Sequence, residues 1–163
     1  GGETWTSITN GITDPDTHGV VVSTATPKTG FTNTASEIFT SIDMGESWQP
    51  MGARQFFPMP YIRSMILKVD DPKVMFCGNG DGPFGEAGTL QRSLDQGHTW
   101  ETMPLPEEPN TPIWAFAVNR ADPDLIFCCS KWGQIFSSKD GGDSWGKVRR
   151  EFSETRAIAW QPN

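Results

Sequence analysis

The sequence predicts an all-β protein built from repeated four-stranded antiparallel meanders, and three observations predict it. The first is a recurring motif, Ser-x-Asp-x-Gly-x-Ser/Thr-Trp, read as SIDMGESW, SLDQGHTW and SKDGGDSW; the opening GGETW matches its second half. The motif tryptophans Trp5, Trp48, Trp100 and Trp145 are 43, 52 and 45 residues apart. The second is a proline anchor in constant phase: Pro27 (TPK), Pro72 (DPK) and Pro123 (DPD) follow the preceding motif tryptophan by 22, 24 and 23 residues. The third is a set of four short β-rich runs between successive anchors. Four antiparallel strands per repeat of this length are the pattern of a propeller blade.

Each element follows in order. The inner strand A precedes the proline: HGVVVST (18–24), IRSMILKV (62–69) and IWAFAVN (113–119). Strand B follows it: KTGFTN, KVMFCG and DLIFCC. Strand C is EIFTSI, TLQRSL and QIFSS, and strand D starts at the motif tryptophan: SWQPM, TWETM and SWGKV. The blades are expected at about 18–51, 62–103 and 113–148. Single strands of neighbouring blades are expected at 4–8 and 155–161, within one partial propeller domain spanning 1–163. Three blades do not close a ring, which takes 4–8. The remaining blades are therefore expected from the same precursor or from a second chain.

The motif spans the C–D turn. An aspartate accepts backbone N–H bonds, glycine permits φ > 0, and the tryptophan packs between neighbouring sheets. Asp43, Gly45, Trp48, Asp95, Gly97, Trp100, Asp140, Gly142 and Trp145 are accordingly expected to be structural.

These motifs resemble the Asp-box (BNR) repeat of WD40/YVTN/BNR-like propellers. That repeat occurs in sialidases, xyloglucanase-type glycoside hydrolases, sortilin-type receptors and photosystem assembly factors. The chain is most similar to the C-terminal half of bacterial BNR-repeat proteins of unassigned function. The resemblance implies the propeller fold, and it implies either a binding scaffold or a glycoside hydrolase, because the repeat serves both. The Arg-Ile-Pro stretch of sialidases is missing here.

Composition narrows the function. The net charge is −7 and the longest basic run is Arg149-Arg150, which argues against nucleic acid. No apolar run has the length of a membrane span. A soluble chain is expected, cytoplasmic in preference to secreted or periplasmic. Three cysteines, Cys77, Cys128 and Cys129, without zinc-type spacing read as buried thiols, and neither metal nor cofactor is expected.

Meander topology puts the proline turns and Ser–Asp turns at one end of each blade, and the variable B–C and D–A loops at the other. The variable end is the expected binding face. Nine residues before each anchor proline stand His18, Arg63 and Trp114, with Arg156 as the matching position in the last strand. With Phe57 and Trp132 they form the candidate ligand set, suited to a carbohydrate or an anionic small molecule. Alternatively, each arginine pairs with a loop acid among Glu107, Glu108, Glu151 and Glu154. For the hydrolase alternative, with its site at the central channel, the candidate catalytic groups are Tyr61, Asp81 and Glu86.

Overall fold

The computed structural model describes residues 1–25 and 27–162; Thr26 and Asn163 lie outside them. Three four-stranded antiparallel sheets form, each a simple meander. The first holds β1 (Thr17–Val22), β2 (Gly30–Thr34), β3 (Ile38–Ser41) and β4 (Gln49–Pro50). The second holds β5 (Tyr61–Leu67), β6 (Met75–Gly80), β7 (Gly88–Ser93) and β8 (Glu101–Met103). The third holds β9 (Ile113–Asn119), β10 (Asp122–Ser130), β11 (Ile135–Ser138) and β12 (Gly146–Lys147). The first strand of each sheet is innermost, with β5 meeting both β1 and β9.

The outer strands start later than the sequence suggests. Trp48, Trp100 and Trp145 belong to the turns, and their ladders begin one residue further on. A short 3-10 turn, Ala53–Gln55, shapes the loop between the first two sheets. Segments 4–8 and 155–161 form no strand. A lone strand has no ladder partner, so its backbone groups remain outside any sheet.

The Ser–Asp turns repeat one hydrogen-bond circuit. Ser41, Ser93 and Ser138 donate Oγ–H to Oδ1 of Asp43, Asp95 and Asp140 at 2.8, 2.8 and 2.7 Å. Each serine oxygen accepts the N–H of the turn glycine: Gly45, Gly97 or Gly142. The far hydroxyl of Ser47, Thr99 or Ser144 donates to the second aspartate oxygen. The Ser47 hydroxyl and N–H, helped by the Ser41 hydroxyl, hold the Asp43 carboxyl down to about 2. Ser144 and Ser138 lower Asp140 in the same way. Burial works against Asp95, yet Thr99 and Ser93 still hold it below the ordinary carboxylate range. Two successive residues in each turn take positive φ: Met44 and Gly45, Gln96 and Gly97, Gly141 and Gly142.

The cores lie between sheets. Trp145 packs edge-on against Phe76 of the preceding sheet, 6.0 Å between ring centroids. Around this pair lie Leu90, Ile113, Ile126, Cys128 and Phe136. Trp100 packs edge-on against Phe57 at 5.2 Å, beside Ile38, Ile62 and Cys77. Cys77, Cys128 and Cys129 are free and buried, and burial raises all three thiol pKa values, that of Cys129 to about 11.

Candidate functional site

Alternation along a strand sends successive side chains to opposite faces, and one extra residue breaks that alternation. Each inner strand contains such an irregularity near its N-terminal end. The β1–β2 register shifts between Thr17 and Gly19, leaving His18 outside the ladder. The β5–β6 register shifts between Ile62 and Ser64, leaving out Arg63. On β10 the register steps from Cys129, opposite Ala115, to Ser130, opposite Ile113, and Trp114 is passed over. The three positions found by counting back from the prolines are thus bulge residues, at the end carrying the B–C and D–A loops. Bulges re-aim side chains and concentrate beside functional sites.

Adjacent inner strands are also stitched there. His18 Nδ1 lies 2.8 Å from the Ile62 carbonyl oxygen, and the Ser64 hydroxyl donates to the Ile113 carbonyl at 2.8 Å. The accepting carbonyls belong to the residues just before Arg63 and Trp114. His18 Nε2 meets Asp16 at 3.1 Å, and its ring stands edge-on to Tyr61 at 5.4 Å. Burial raises the Tyr61 hydroxyl pKa, nearby Arg63 opposes this, and Asp16 adds to it. The net upward shift disfavours the phenolate that a nucleophile would need.

The Arg63 guanidinium lies over the Trp114 ring, 4.0 Å from its centroid. Its buried Nε has no hydrogen-bond partner among the described residues. The Lys131 ammonium sits 5.1 Å from the same ring, 5.1 Å from Phe84 and 5.3 Å from Trp132. It also lies 4.0 Å from Glu154, whose carboxylate takes Arg156 at 2.8 Å. Arg63, Trp114, Trp132 and Arg156 therefore form one chain of contacts, in which Lys131 is the link the sequence reading lacked. Its place directly before Trp132, at the start of a B–C loop, is the one sequence signal that could have marked it.

The loop carrying Lys131 is held from both sides. Lys131 N–H donates to Thr111 Oγ at 2.8 Å, and its carbonyl accepts the Thr155 N–H at 2.7 Å. Asn110 N–H donates to Gln134 Oε1 at 2.7 Å. Gly133 has φ +85 and lies so close to the Phe152 carbonyl that a Cβ there would be 1.9 Å from its oxygen. Such fixation places the cationic and aromatic groups before any ligand arrives.

One expectation changes. Phe57 is buried against Trp100 between the first two sheets, where it is core and touches no ligand face. Asp81 accepts the N–H groups of Glu86 and Ala87 at 3.2 and 3.3 Å, so its carboxylate closes its own loop. Glu86 is exposed. Of the loop acids, Glu154 does pair with Arg156, whereas Glu107 and Glu151 both pair with Lys147, leaving Arg63 with no ion pair among the described residues.

Three meanders fanned about adjoining inner strands match known molecules. No protein-family model matches the chain. It is 25% identical to a xyloglucanase of a Paenibacillus species, over 85% of this chain but only 15% of that protein. Its structure is similar to that of an ancestral GH74 enzyme, at TM-score 0.69 and 16% identity, covering 85% of this chain and 19% of the other. It is similar also to YCF48 from Cyanidioschyzon merolae, at TM-score 0.54 and 20% identity, covering 83% and 38%. The chain is a run of β-propeller blades. This run spans under two fifths of each of these propeller-like proteins.

Proposed function

We propose that the chain is a binding segment of a larger propeller. Further blades, from the same precursor or a second chain, complete the ring, and the ligand or partner docks where the B–C and D–A loops gather. The turns are read as Asp-box repeats on the strength of their common Ser–Asp–Gly circuit. One observation carries the binding role: His18, Arg63 and Trp114 are released from the ladder at one register on three successive strands and arranged at the loop-bearing end. The ligand class it supports is a carbohydrate or an anionic small molecule. Ring completion is supported by the apolar flank of the first sheet, where Val20, Val22 and Met44 are exposed and a cavity of about 120 Å³ opens beside Ile8 and Trp48.

Likeness to a xyloglucanase and a GH74 enzyme supports a second reading, glycoside hydrolysis at the central channel. One experiment separates the two. The purified chain is offered oligosaccharides while binding and release of reducing ends are both measured, for wild type and Trp114→Ala. Binding without release, weakened by Trp114→Ala, is the expected result; turnover lost on replacing Asp81, Glu86 or Tyr61 would establish the hydrolase instead.

A further inference from the structure

At the loop-bearing end one cluster holds more cations than carboxylates, in a chain that is acidic overall. Arg63, Lys131 and Arg156 converge on it, and Glu154 is the carboxylate within 4.0 Å of two of them. One carboxylate shared by two cations leaves positive charge over, and Arg63 adds a third cation without an ion pair among the described residues. Lys131 is the centre of the arrangement. The residue is only 8% exposed, so its stem is fixed, yet among the described residues its ammonium finds aromatic faces and a carboxylate at 4.0 Å in place of a hydrogen-bond acceptor. An ammonium has three N–H donors, and aromatic faces satisfy its charge without accepting those bonds in full. Beside it stand two rings that solvent reaches: Phe84 is 88% and Trp132 51% exposed. Large aromatic rings held open at a rigid loop present flat apolar surface to a ligand.

We propose that this cluster binds a saccharide bearing an anionic substituent. The C–H face of a pyranose ring stacks on Trp132, beside Phe84, and the ring's carboxylate or sulfate accepts hydrogen bonds from Lys131, with Arg156 and Arg63 flanking it. The assignment rests on the binding face proposed above and names its ligand class; it adds Lys131 and Phe84 to the residues that serve it. Ring and charge are both required, because the aromatic surface alone would accept a neutral sugar and the cations alone would accept any anion.

The test is calorimetric titration of the purified chain with three probes of matched length: oligogalacturonate, a heparin-derived sulfated oligosaccharide and a neutral cello-oligosaccharide. At least one anionic probe is expected to bind about tenfold or more tightly than the neutral one, with affinity falling as salt rises. Lys131→Met keeps the buried stem and removes the charge, and it is expected to erase that preference. Trp132→Ala, at an exposed ring, is expected to weaken every saccharide that binds; thermal melting of both variants confirms that they fold. The preferred anionic probe tells carboxylate from sulfate. If the neutral probe binds as well and Lys131→Met changes nothing while Trp132→Ala abolishes binding, the face is a carbohydrate site and the anionic class is overturned. If no probe binds to a folded chain, or if Trp132→Ala leaves all binding intact, the saccharide assignment at this face falls.

Discussion

The motif tryptophans of the second and third sheets meet a different fate from the one at the start of the chain. Trp145 is 8% exposed and lies edge-on to Phe76, while Trp5, in the same motif position, is 90% exposed. What distinguishes them is cover by a neighbouring segment, which for Trp145 is the second sheet. Trp48, at 5% exposed, is as well buried as Trp145, but by a different kind of cover. It is covered by the segment around Ile8, and its indole N–H donates to the Ile8 carbonyl at 2.7 Å, whereas Trp100 and Trp145 donate to their own turn glycines. The turn glycines also abut their neighbours, since a Cβ at Gly45, Gly97 or Gly142 would meet Ile8, Met51 or Phe76 respectively. The motif thus specifies two things: a turn closed within its own sheet, and a ring whose burial depends on the neighbour.

The strongest way to break this comparison is Trp145→Ala. Removing a large aromatic side chain from a packed junction is expected to cost about 3–5 kcal/mol, read from the midpoint of a urea titration. Next comes Gly142→Ala. Its φ is +99 and a Cβ would stand 2.2 Å from Phe76 Cζ, so strain and overpacking together are expected to cost about 2–4 kcal/mol. Gly45→Ala sharpens the contrast. The conformation is equally unfavourable to a side chain, but the obstacle is the end of a flexible isoleucine, so the loss in the same titration is expected to be smaller.

Acid titrates the part of the motif that does not depend on a neighbour. Asp43 is depressed in the folded chain to about 2, below its ordinary range. Its contribution is therefore present above the unfolded pKa of about 4 and is lost as pH falls through about 2. Melting temperature is expected to drop across that window, and Asp43→Asn, which has no such titration, is expected to flatten this residue's part of the slope. The smallest effect belongs to Trp5→Ala, expected within about 0.5 kcal/mol of wild type because the ring has nothing to lose. A large loss there would mean that Trp5 is covered in solution and that the first junction is occupied.

Much of the fold was legible because its signals are local. The Ser–Asp–Gly circuit closes within eight residues of chain, and the prolines keep phase with it. The inner strands were therefore placed within a residue or two of Thr17–Val22, Tyr61–Leu67 and Ile113–Asn119. The outer strands were placed too early because the tryptophan that marks them is spent on the turn. The site was legible only in part. Counting from the prolines located His18, Arg63 and Trp114, yet nothing in one strand's sequence reveals an extra residue, since a bulge is a property of pairing. Phe57 was misplaced for a related reason. It lies in a loop by sequence, but the 3-10 turn at Ala53–Gln55 carries the chain back towards Trp100, and that contact is set by the fold. Lys131 escaped notice because its importance comes from rings contributed by three separate segments.

The unpaired position on each inner strand has an evolutionary corollary. A side chain that faces no ladder partner does not have its chemistry dictated by strand pairing, and here the same slot holds an imidazole, a guanidinium and an indole. New ligand chemistry can be tried one residue at a time around the rim, while the sheets beneath keep the same architecture.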